Sequence, residues 1–208
     1  MTILPNNQPQ LVLVGGSNGS GKTTFAKGLI EKTGFKYIGA DDFAYQLNKD
    51  DVQSVEIPAA KLFIQAITES IANKESIIVE STLAGRTLCH HINNARQNGY
   101  QVFIVYIYLE SVEISLYRVR LRVSQGGHDV PEIHVRRRFP RSRENFWNLY
   151  RPLVNSWQLL YNSTDREHVV EIVAEANLNQ ATNTVDIAVT DDIQWQLFLE
   201  SVGVNDVT

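Results

Sequence analysis

The sequence predicts an α/β fold of three layers, in which helices cover both faces of a mostly parallel five-stranded sheet. Short apolar runs alternate with amphipathic segments along almost the whole chain, which is typical of parallel strands joined by helices. A glycine-rich loop follows the first apolar run, and acidic residues follow two later ones. Since ligands of such sheets bind at the carboxyl ends of the strands, these three places predict one site.

The first third of the chain predicts two strands and two helices. Leu11 to Val14 is apolar without alternation, as expected of a central strand buried on both faces. A helix over about Lys22 to Lys32 follows and closes at Thr33-Gly34, because glycine tolerates the left-handed conformation that many helix ends need. Lys36 to Ala40 is the second strand. The next helix carries apolar residues at three- and four-residue intervals: Ile57, Ala60, Ile64, Ile67 and Ile71.

The middle third predicts two further strands. Ser76 to Val79 is the third strand, and Val102 to Leu109 is the longest apolar run, which predicts a central fourth strand. The helix between them is marked by Leu88, Ile92 and Ala95. Ser111 is a suitable cap for another helix, which extends to about Val123.

The last third predicts one long helix, a fifth strand and a two-element tail. The helix starts at Pro131 and extends towards Tyr161, with a break at Pro140 or Pro152. His168 to Ala174 is the fifth strand. The tail predicts a strand over Thr184 to Val189 and a helix over Asp191 to Val202 that turns Ile193, Leu197 and Phe198 inward.

Length and composition favour one domain over residues 1–208. A chain of 208 residues with 43% hydrophobic and 20% charged residues is typical of an ordinary globular α/β domain. The one cysteine, Cys89, excludes an internal disulfide, and Cys89-His90-His91 is rejected as a metal site because adjacent side chains diverge on a helix. The first residues lack the pattern of a signal peptide, and Val102 to Leu109 is too short to span a bilayer, so we expect a cytoplasmic protein without membrane partners.

The glycine-rich loop has the spacing of a phosphate-binding loop. Its residues are Gly16, Ser17, Asn18, Gly19, Ser20, Gly21, Lys22, Thr23 and Thr24. The glycines allow successive backbone amides to point inward, and the N-terminus of the following helix adds partial positive charge. Lys22 is then expected to reach the β- and γ-phosphates of a nucleotide, and the Thr23 hydroxyl to bind Mg²⁺.

Three polar residues near the next two strand ends are candidates for the chemistry. Asp41 can accept the proton of a substrate hydroxyl and hold its oxygen in line, while a simple helix N-cap is the alternative. If the strand geometry persists, Asp42 is expected to point elsewhere, so that only one of the pair reaches the substrate. Glu80 can bind a water of the Mg²⁺ shell or a sugar hydroxyl, and Thr82 can donate to the substrate; the alternatives are a solvated strand end and a helix cap.

A basic segment interrupts an acidic chain. The net charge is −4, yet residues 118–151 hold nine arginines against three acidic residues. Arg118 and Arg122 share a helix face and precede Gly126-Gly127, which predicts an arginine-rich lid over about residues 118–140 that stabilises the transferring phosphate. A pocket for several phosphates is favoured over nucleic acid, because no aromatic-interleaved RNA motif accompanies the arginines.

Two further lid residues are candidate substrate contacts. His128 lies between the double glycine and Pro131, where it can touch a phosphate or act only in the loop. Arg137 belongs to a run of three arginines that point in different directions on a helix, so at most two of them can serve one ligand. Surface ion pairing is the alternative for each arginine.

Taken together, the motifs resemble the zeta toxin family, small P-loop kinases related to UDP-N-acetylglucosamine kinase. The most specific segments are Ala40-Asp41, Glu80-Ser81-Thr82-Leu83, Asn98-Gly99-Tyr100, Arg122 to Pro131 and Arg137-Arg138-Phe139. The resemblance implies ATP, Mg²⁺, Asp41 as catalytic base, Glu80 and Thr82 as substrate contacts, and the arginines as phosphate ligands. The segment between Arg122 and Pro131 departs from the toxins proper, which have a longer loop with an arginine near the position of His128.

The sequence thus favours an ATP-dependent small-molecule kinase that phosphorylates a hydroxyl, with a UDP-sugar as one candidate acceptor. Two other classes stay open, a regulatory nucleotide-binding NTPase and an RNA-end kinase. The resemblance admits an antitoxin partner, which the residues themselves do not reveal.

Overall fold

The computed structural model describes residues 7–48, 51–163, 170–179 and 184–204. Seven strands form one mixed sheet in the order β2-β3-β1-β4-β5-β6-β7. The strands are β1 Gln10–Gly15, β2 Lys36–Gly39, β3 Ile77–Ser81, β4 Gln101–Tyr108, β5 Ser156–Tyr161, β6 Glu171–Asn179 and β7 Thr184–Val189. The helices are α1 Lys22–Thr33, α2 Ala40–Leu47, α3 Glu56–Ala72, α4 Thr87–Gln97, α5 Val112–Ser124, α6 Glu132–Asn145 and α7 Asp192–Ser201. This confirms the predicted three-layer α/β class.

The first five strands are parallel, and their carboxyl ends meet at one edge. On β1, Leu13 lies beside Val79 of β3 and Ile104 of β4 in the ladder. The side chains of β1 alternate between two apolar clusters, one on each face, as a central strand requires. The loop after β1 and the acidic residues after β2 and at the end of β3 are therefore neighbours, as the alternation of elements predicted.

The fifth parallel strand lies elsewhere than predicted. The helix expected to extend from Pro131 towards Tyr161 is α6, which contains Pro140 and ends at Asn145. A π-helical turn over Phe146–Tyr150 and a 3₁₀ turn over Arg151–Leu153 then lead into β5. The strand predicted over His168 to Ala174 overlaps β6, which is antiparallel to β5, and His168 lies outside the described residues. With the predicted strand β7, the sheet has seven strands instead of five.

An aromatic cluster fixes α7 to one face of the sheet. Trp157 on β5 stacks on Trp195 of α7 with ring centroids 6.2 Å apart, and Trp147 meets Trp195 edge-on at 5.5 Å. All three tryptophans, Trp147, Trp157 and Trp195, are buried in the core. The predicted inward face of α7 is only partly right: Phe198 is fully buried, whereas Ile193 and Leu197 are 74% and 45% exposed. None of the described helices is long and apolar enough to cross a membrane.

Truncation of Phe198 should destabilise the fold. Phe198→Ala removes a ring that contacts Tyr106, Tyr108, Phe146 and Trp147, so we expect a loss of about 3–5 kcal/mol in the free energy of unfolding. Ile193→Ala on the exposed face of the same helix is the matched control, with an expected change within about 0.5 kcal/mol. Chemical denaturation of both variants measures this difference, and equal losses would show that α7 packs through another face.

Candidate active site

The glycine-rich loop is shaped by close contacts that exclude side chains. Gly16, Gly19 and Gly21 have φ values of 146°, 75° and 93°, a region that favours glycine. A Cβ on Gly16 would collide with the carbonyl oxygen of Ile107 at the end of β4. A Cβ on Gly19 would lie only 3.0 Å from the Ser115 carbonyl oxygen of α5. The loop therefore packs directly on the ends of β4 and α5.

Two side chains that the sequence did not single out hold the loop in this shape. The Ser115 hydroxyl on α5 donates to the Asn18 carbonyl oxygen at 2.5 Å. Asn162, which follows β5, donates from Nδ2 to the Ser20 carbonyl oxygen at 2.9 Å. Asn162 could have been found from the sequence only by its position at the end of a strand. Because the fifth strand was predicted over His168 to Ala174, that position was not recognised.

Lys22 is the buried cation of the loop. It opens α1, is only 8% exposed, and donates from Nζ to the Ser17 carbonyl oxygen at 2.9 Å. Burial lowers the pKa of Lys22, while the carboxylates of Glu80 and Asp41 oppose that shift. Thr24, in the first turn of α1, is exposed.

Several buried polar atoms around the loop have no hydrogen-bond partner among the described residues. They are Ser17 Oγ, Asn18 Oδ1, Ser20 Oγ, and Nε and Nη2 of Arg122. Buried polar groups in native proteins are almost always satisfied, so these atoms are available to hydrogen-bond a ligand or water. The donors of Arg122 and the α1 N-terminus beside Lys22 suit an anion.

Glu80 lies between the loop and β2. Its Oε1 accepts from the Thr23 hydroxyl at 3.0 Å, and its Oε2 accepts from the Tyr37 hydroxyl at 2.7 Å. Burial and the Glu80 carboxylate raise the pKa of Tyr37, so this hydroxyl stays a donor. The Thr23 and Glu80 oxygens are hard ligands of the kind that Mg²⁺ prefers. No cluster of three or more metal-binding side chains occurs in the described part of the chain.

These groups surround a cavity of about 360 Å³, here called the loop cavity. Its lining residues are Lys22, Thr23, Tyr37, Gly39, Ala40, Asp41, Asp42, Glu80, Ser81, Thr82, Arg122, His128 and Arg138. A second cavity of about 270 Å³, here called the side cavity, extends between α2, α3 and the start of α6. It is lined by Ala40, Asp41, Ala44, Glu56, Ala59, Ala60, Phe63, His128, Asp129, Val130, Pro131, His134 and Arg138.

The two aspartates after β2 lie in the first turn of α2 and both reach the loop cavity. Asp41 also lines the side cavity, which makes it one of the residues shared by both. The expectation that Asp42 points elsewhere was wrong, because α2 begins at Ala40 and the strand geometry ends before Asp42. Partial burial, together with the charges of Glu80 and Asp41, raises the pKa of the Asp42 carboxyl.

The predicted lid contributes Arg122, His128 and Arg138 to the loop cavity. The absence of a side chain at Gly127 leaves space for the Arg122 side chain, since a Cβ on Gly127 would lie 2.5 Å from Arg122 Cγ. The Cβ of Arg118 lies beside Gly19 on the flank of the loop, and Arg118 does not line either cavity. Arg137 is exposed and lines neither cavity, contrary to its predicted place at the site, whereas Arg138, one residue further around α6, lines both.

Thr82 also lines the loop cavity. Its carbonyl oxygen accepts from the Ser142 hydroxyl of α6, and the next helix begins only at Thr87 with Arg86 at its N-cap. The helix-capping alternative for Thr82 is therefore wrong.

Part of the basic segment serves the fold. The Arg143 guanidinium is buried beneath α6, where it donates to the Glu110 carbonyl oxygen at 3.0 Å. Arg151 lies over the Trp147 ring at 3.6 Å, and Arg136 pairs with Glu132 at 2.7 Å. These contacts leave fewer arginines for a nucleic acid than the sequence count indicates.

The fold and the loop define a P-loop phosphotransferase. Residues 2–183 match the Zeta toxin family, and the chain belongs to that family. An uncharacterized protein of Haemophilus influenzae is 31% identical over 132 residues, which cover 64% of this chain and 94% of that protein. A cytidylate kinase of Archaeoglobus fulgidus is 30% identical over 183 residues, covering 79% of this chain and 93% of that kinase.

Solved structures show the same fold. A chain of the PezAT toxin–antitoxin system of Streptococcus pneumoniae aligns with a TM-score of 0.63 and 18% identity, covering 98% of this chain and 80% of that one. A chain of the AvrRxo1-ORF1:ORF2 complex with ATP aligns with a TM-score of 0.68 and 20% identity, covering 97% of this chain. This chain spans 65% of the length of the latter.

Pyrophosphate should stabilise the protein through Arg122. Because Nε and Nη2 of Arg122 are buried without a partner among the described residues, we expect saturating pyrophosphate to raise the melting temperature. At a hundredfold excess over Kd, the gain in the free energy of unfolding is about 2.7 kcal/mol. Arg122→Ala should weaken binding at least tenfold, the loss of one charge-assisted hydrogen bond. Arg120→Ala, on the exposed side of the same helix, is the control and should bind like the unaltered protein. Equal affinities in both variants would remove Arg122 from the anion site.

Proposed function

We propose that the protein is an ATP-dependent kinase that transfers the γ-phosphoryl group to a hydroxyl of a small molecule. The observation that carries this proposal is the position of Asp41, which lines both the loop cavity and the side cavity. A terminal phosphate in the first cavity and a hydroxyl in the second would meet at this carboxylate. Phosphoryl transfer needs mainly such positioning and charge stabilisation.

The loop cavity has the groups for binding a triphosphate. Lys22 supplies positive charge, and Arg122, which lines the same cavity, supplies hydrogen bonds from its unpaired Nε and Nη2. The Thr23 hydroxyl and Glu80 would hold Mg²⁺, directly or through water, and the bound ion would neutralise charge on the phosphates. Tyr37 fixes the orientation of Glu80 by its hydrogen bond.

Asp41 would orient the acceptor and take up its proton. The hydroxyl donates to an Asp41 carboxylate oxygen, which directs a lone pair of the acceptor oxygen at the phosphorus. As the new O–P bond forms and the bond to the ADP oxygen breaks, the proton passes to Asp41. Arg122 and Arg138 face the same space and would offset the negative charge on the transferring group.

The family relationship brings two finer suggestions. The resemblance noted in the sequence makes a UDP-sugar one candidate acceptor, and the cytidylate kinase relative adds a nucleotide as another. The likeness to a chain of the PezAT toxin–antitoxin system suggests a protein antitoxin as a partner. Action on the small molecule would take place in the cytoplasm, where ATP is available.

Replacement of Asp41 tests the proposal. Asp41→Asn keeps the size of the side chain but cannot accept the proton, so we expect a drop in acceptor-dependent ADP release of about 10²-fold or more. Its affinity for an ATP analogue should stay within about threefold. Asp192→Asn, exposed in the first turn of α7, is the control and should retain full turnover.

A panel of sugars, nucleosides and nucleotides with Mg-ATP provides the acceptors. If no compound stimulates ADP release while ATP binds, the protein is a nucleotide-binding regulator instead of a kinase. Transfer to the 5′ or 3′ end of an oligonucleotide, with steep salt dependence, would favour the RNA-end kinase.

A further inference from the structure

The charges of the two cavities are arranged unequally. Lys22 and Arg122 line only the loop cavity, and Arg138 is shared by both. The side cavity holds the carboxylates of Asp41, Glu56 and Asp129 against the single guanidinium of Arg138. With His128 and His134 neutral, its lining carries a net charge of about −2. The loop cavity sets the carboxylates of Asp41, Asp42 and Glu80 against its three cations, so its lining is balanced and the acceptor side is the more acidic of the two.

Glu56 lines only the side cavity, and its side chain is 53% exposed. It is the first residue of α3 and faces two residues on one side of α6, which are four positions apart. Its Oε1 lies 3.9 Å from His134 Nδ1 and 3.8 Å from the nearest Arg138 nitrogen, Nη2. Both distances exceed a hydrogen bond, so these contacts leave the oxygen able to accept from a ligand. His134 Nδ1 is itself buried without a hydrogen-bond partner among the described residues.

A hydroxyl group fits between these atoms. An oxygen about 2.8 Å from both Glu56 Oε1 and Arg138 Nη2 can donate to the carboxylate and accept from the guanidinium. The separation of 3.8 Å between the two atoms permits this geometry. A phosphate oxygen in the same place has no proton to donate and would face the carboxylate as a like charge. The arrangement favours a hydroxyl over a phosphate.

The rest of the side cavity is apolar. Ala59, Ala60 and Phe63 of α3 form one wall, and Val130 and Pro131 form another. Apolar walls with a few convergent polar groups are typical of sites that bind the flat face of a sugar or a base. The volume of about 270 Å³ lies just below the usual range of about 300–1,000 Å³ for ligand sites. It suits a compact acceptor.

We propose that the side cavity selects a neutral or cationic polyhydroxy compound of monosaccharide or nucleoside size, and rejects nucleoside diphosphate sugars. Glu56 is the residue that sets this preference. The inference rests on the proposed kinase function, because it assumes that the acceptor hydroxyl approaches Asp41 from the side cavity.

Binding measurements with the full chain and a non-hydrolysable ATP analogue test the inference without requiring turnover. The probes are uridine, N-acetylglucosamine, glucosamine and UDP-N-acetylglucosamine, compared by calorimetry. We expect at least one of the three probes without phosphate to bind about tenfold or more tightly than UDP-N-acetylglucosamine. Tighter binding of UDP-N-acetylglucosamine than of all three would overturn the inference.

Charge reversal at Glu56 makes the test specific. Glu56→Lys should improve the affinity for UDP-N-acetylglucosamine about tenfold and weaken the binding of the preferred probe by a similar factor. Glu69→Lys on the same helix, outside both cavities, makes the same change of net charge and should alter neither affinity by more than about twofold. Equal effects of the two substitutions would assign the preference to overall charge and overturn the role of Glu56.

Turnover separates this inference from the kinase proposal. If the phosphate-free probes bind but none of the acceptors stimulates ADP release, the kinase proposal fails while the charge preference holds. If phosphate is transferred efficiently to UDP-N-acetylglucosamine and to no other probe, the kinase proposal holds and the charge preference fails.

Discussion

The close packing of the phosphate-binding loop against its neighbours is the constraint on which the site depends. Gly16 leaves no room for a side chain beside the Ile107 carbonyl, and Gly21 leaves none beside Asn162. Hydrogen bonds from Ser115 and Asn162 fix two loop carbonyls from α5 and β5. The loop is therefore held by three separate elements, and its amides stay oriented without a ligand. Preorganisation of this kind reduces the ordering cost of binding.

The second organising feature is the balance of charge around Lys22. Burial disfavours its ammonium form, whereas Glu80 and Asp41 favour it. The same two carboxylates face the position proposed for a terminal phosphate, where they alone would repel it. Arg122 and Arg138 supply the compensating charge from the lid side of the cavity. Lys22 of the loop and the two arginines of the lid thus place positive charge on opposite sides of the position proposed for the terminal phosphate.

Sequence predicted the parts of the site that local geometry decides. The glycine spacing defines the loop, and the acidic residues after β2 and at the end of β3 meet there because parallel strands share an edge. The contact between Glu56 and Arg138 could not be predicted from the sequence, because it forms only where the start of α3 approaches α6 in the folded chain. The choice of Arg138 over Arg137 depends on the rotation of α6 about its axis, which a run of three arginines leaves undetermined.

The misplaced fifth strand has a related cause. The residues from Phe146 to Tyr150 keep apolar side chains at helical spacing through an irregular turn, and β5 that follows is buried on both faces at Leu159 and Leu160. A strand without alternation right after a helix offers no change of period to mark its start. Only the pairing with β4 distinguishes it.

A crystal structure of the chain with Mg²⁺ and a non-hydrolysable ATP analogue tests the central claim most directly. The account predicts that the terminal phosphate lies in the loop cavity, contacted by Lys22 and Arg122, with the Asp41 carboxylate across from it at the entrance to the side cavity. A nucleotide bound away from the loop, or an Asp41 side chain turned out of both cavities, would contradict it.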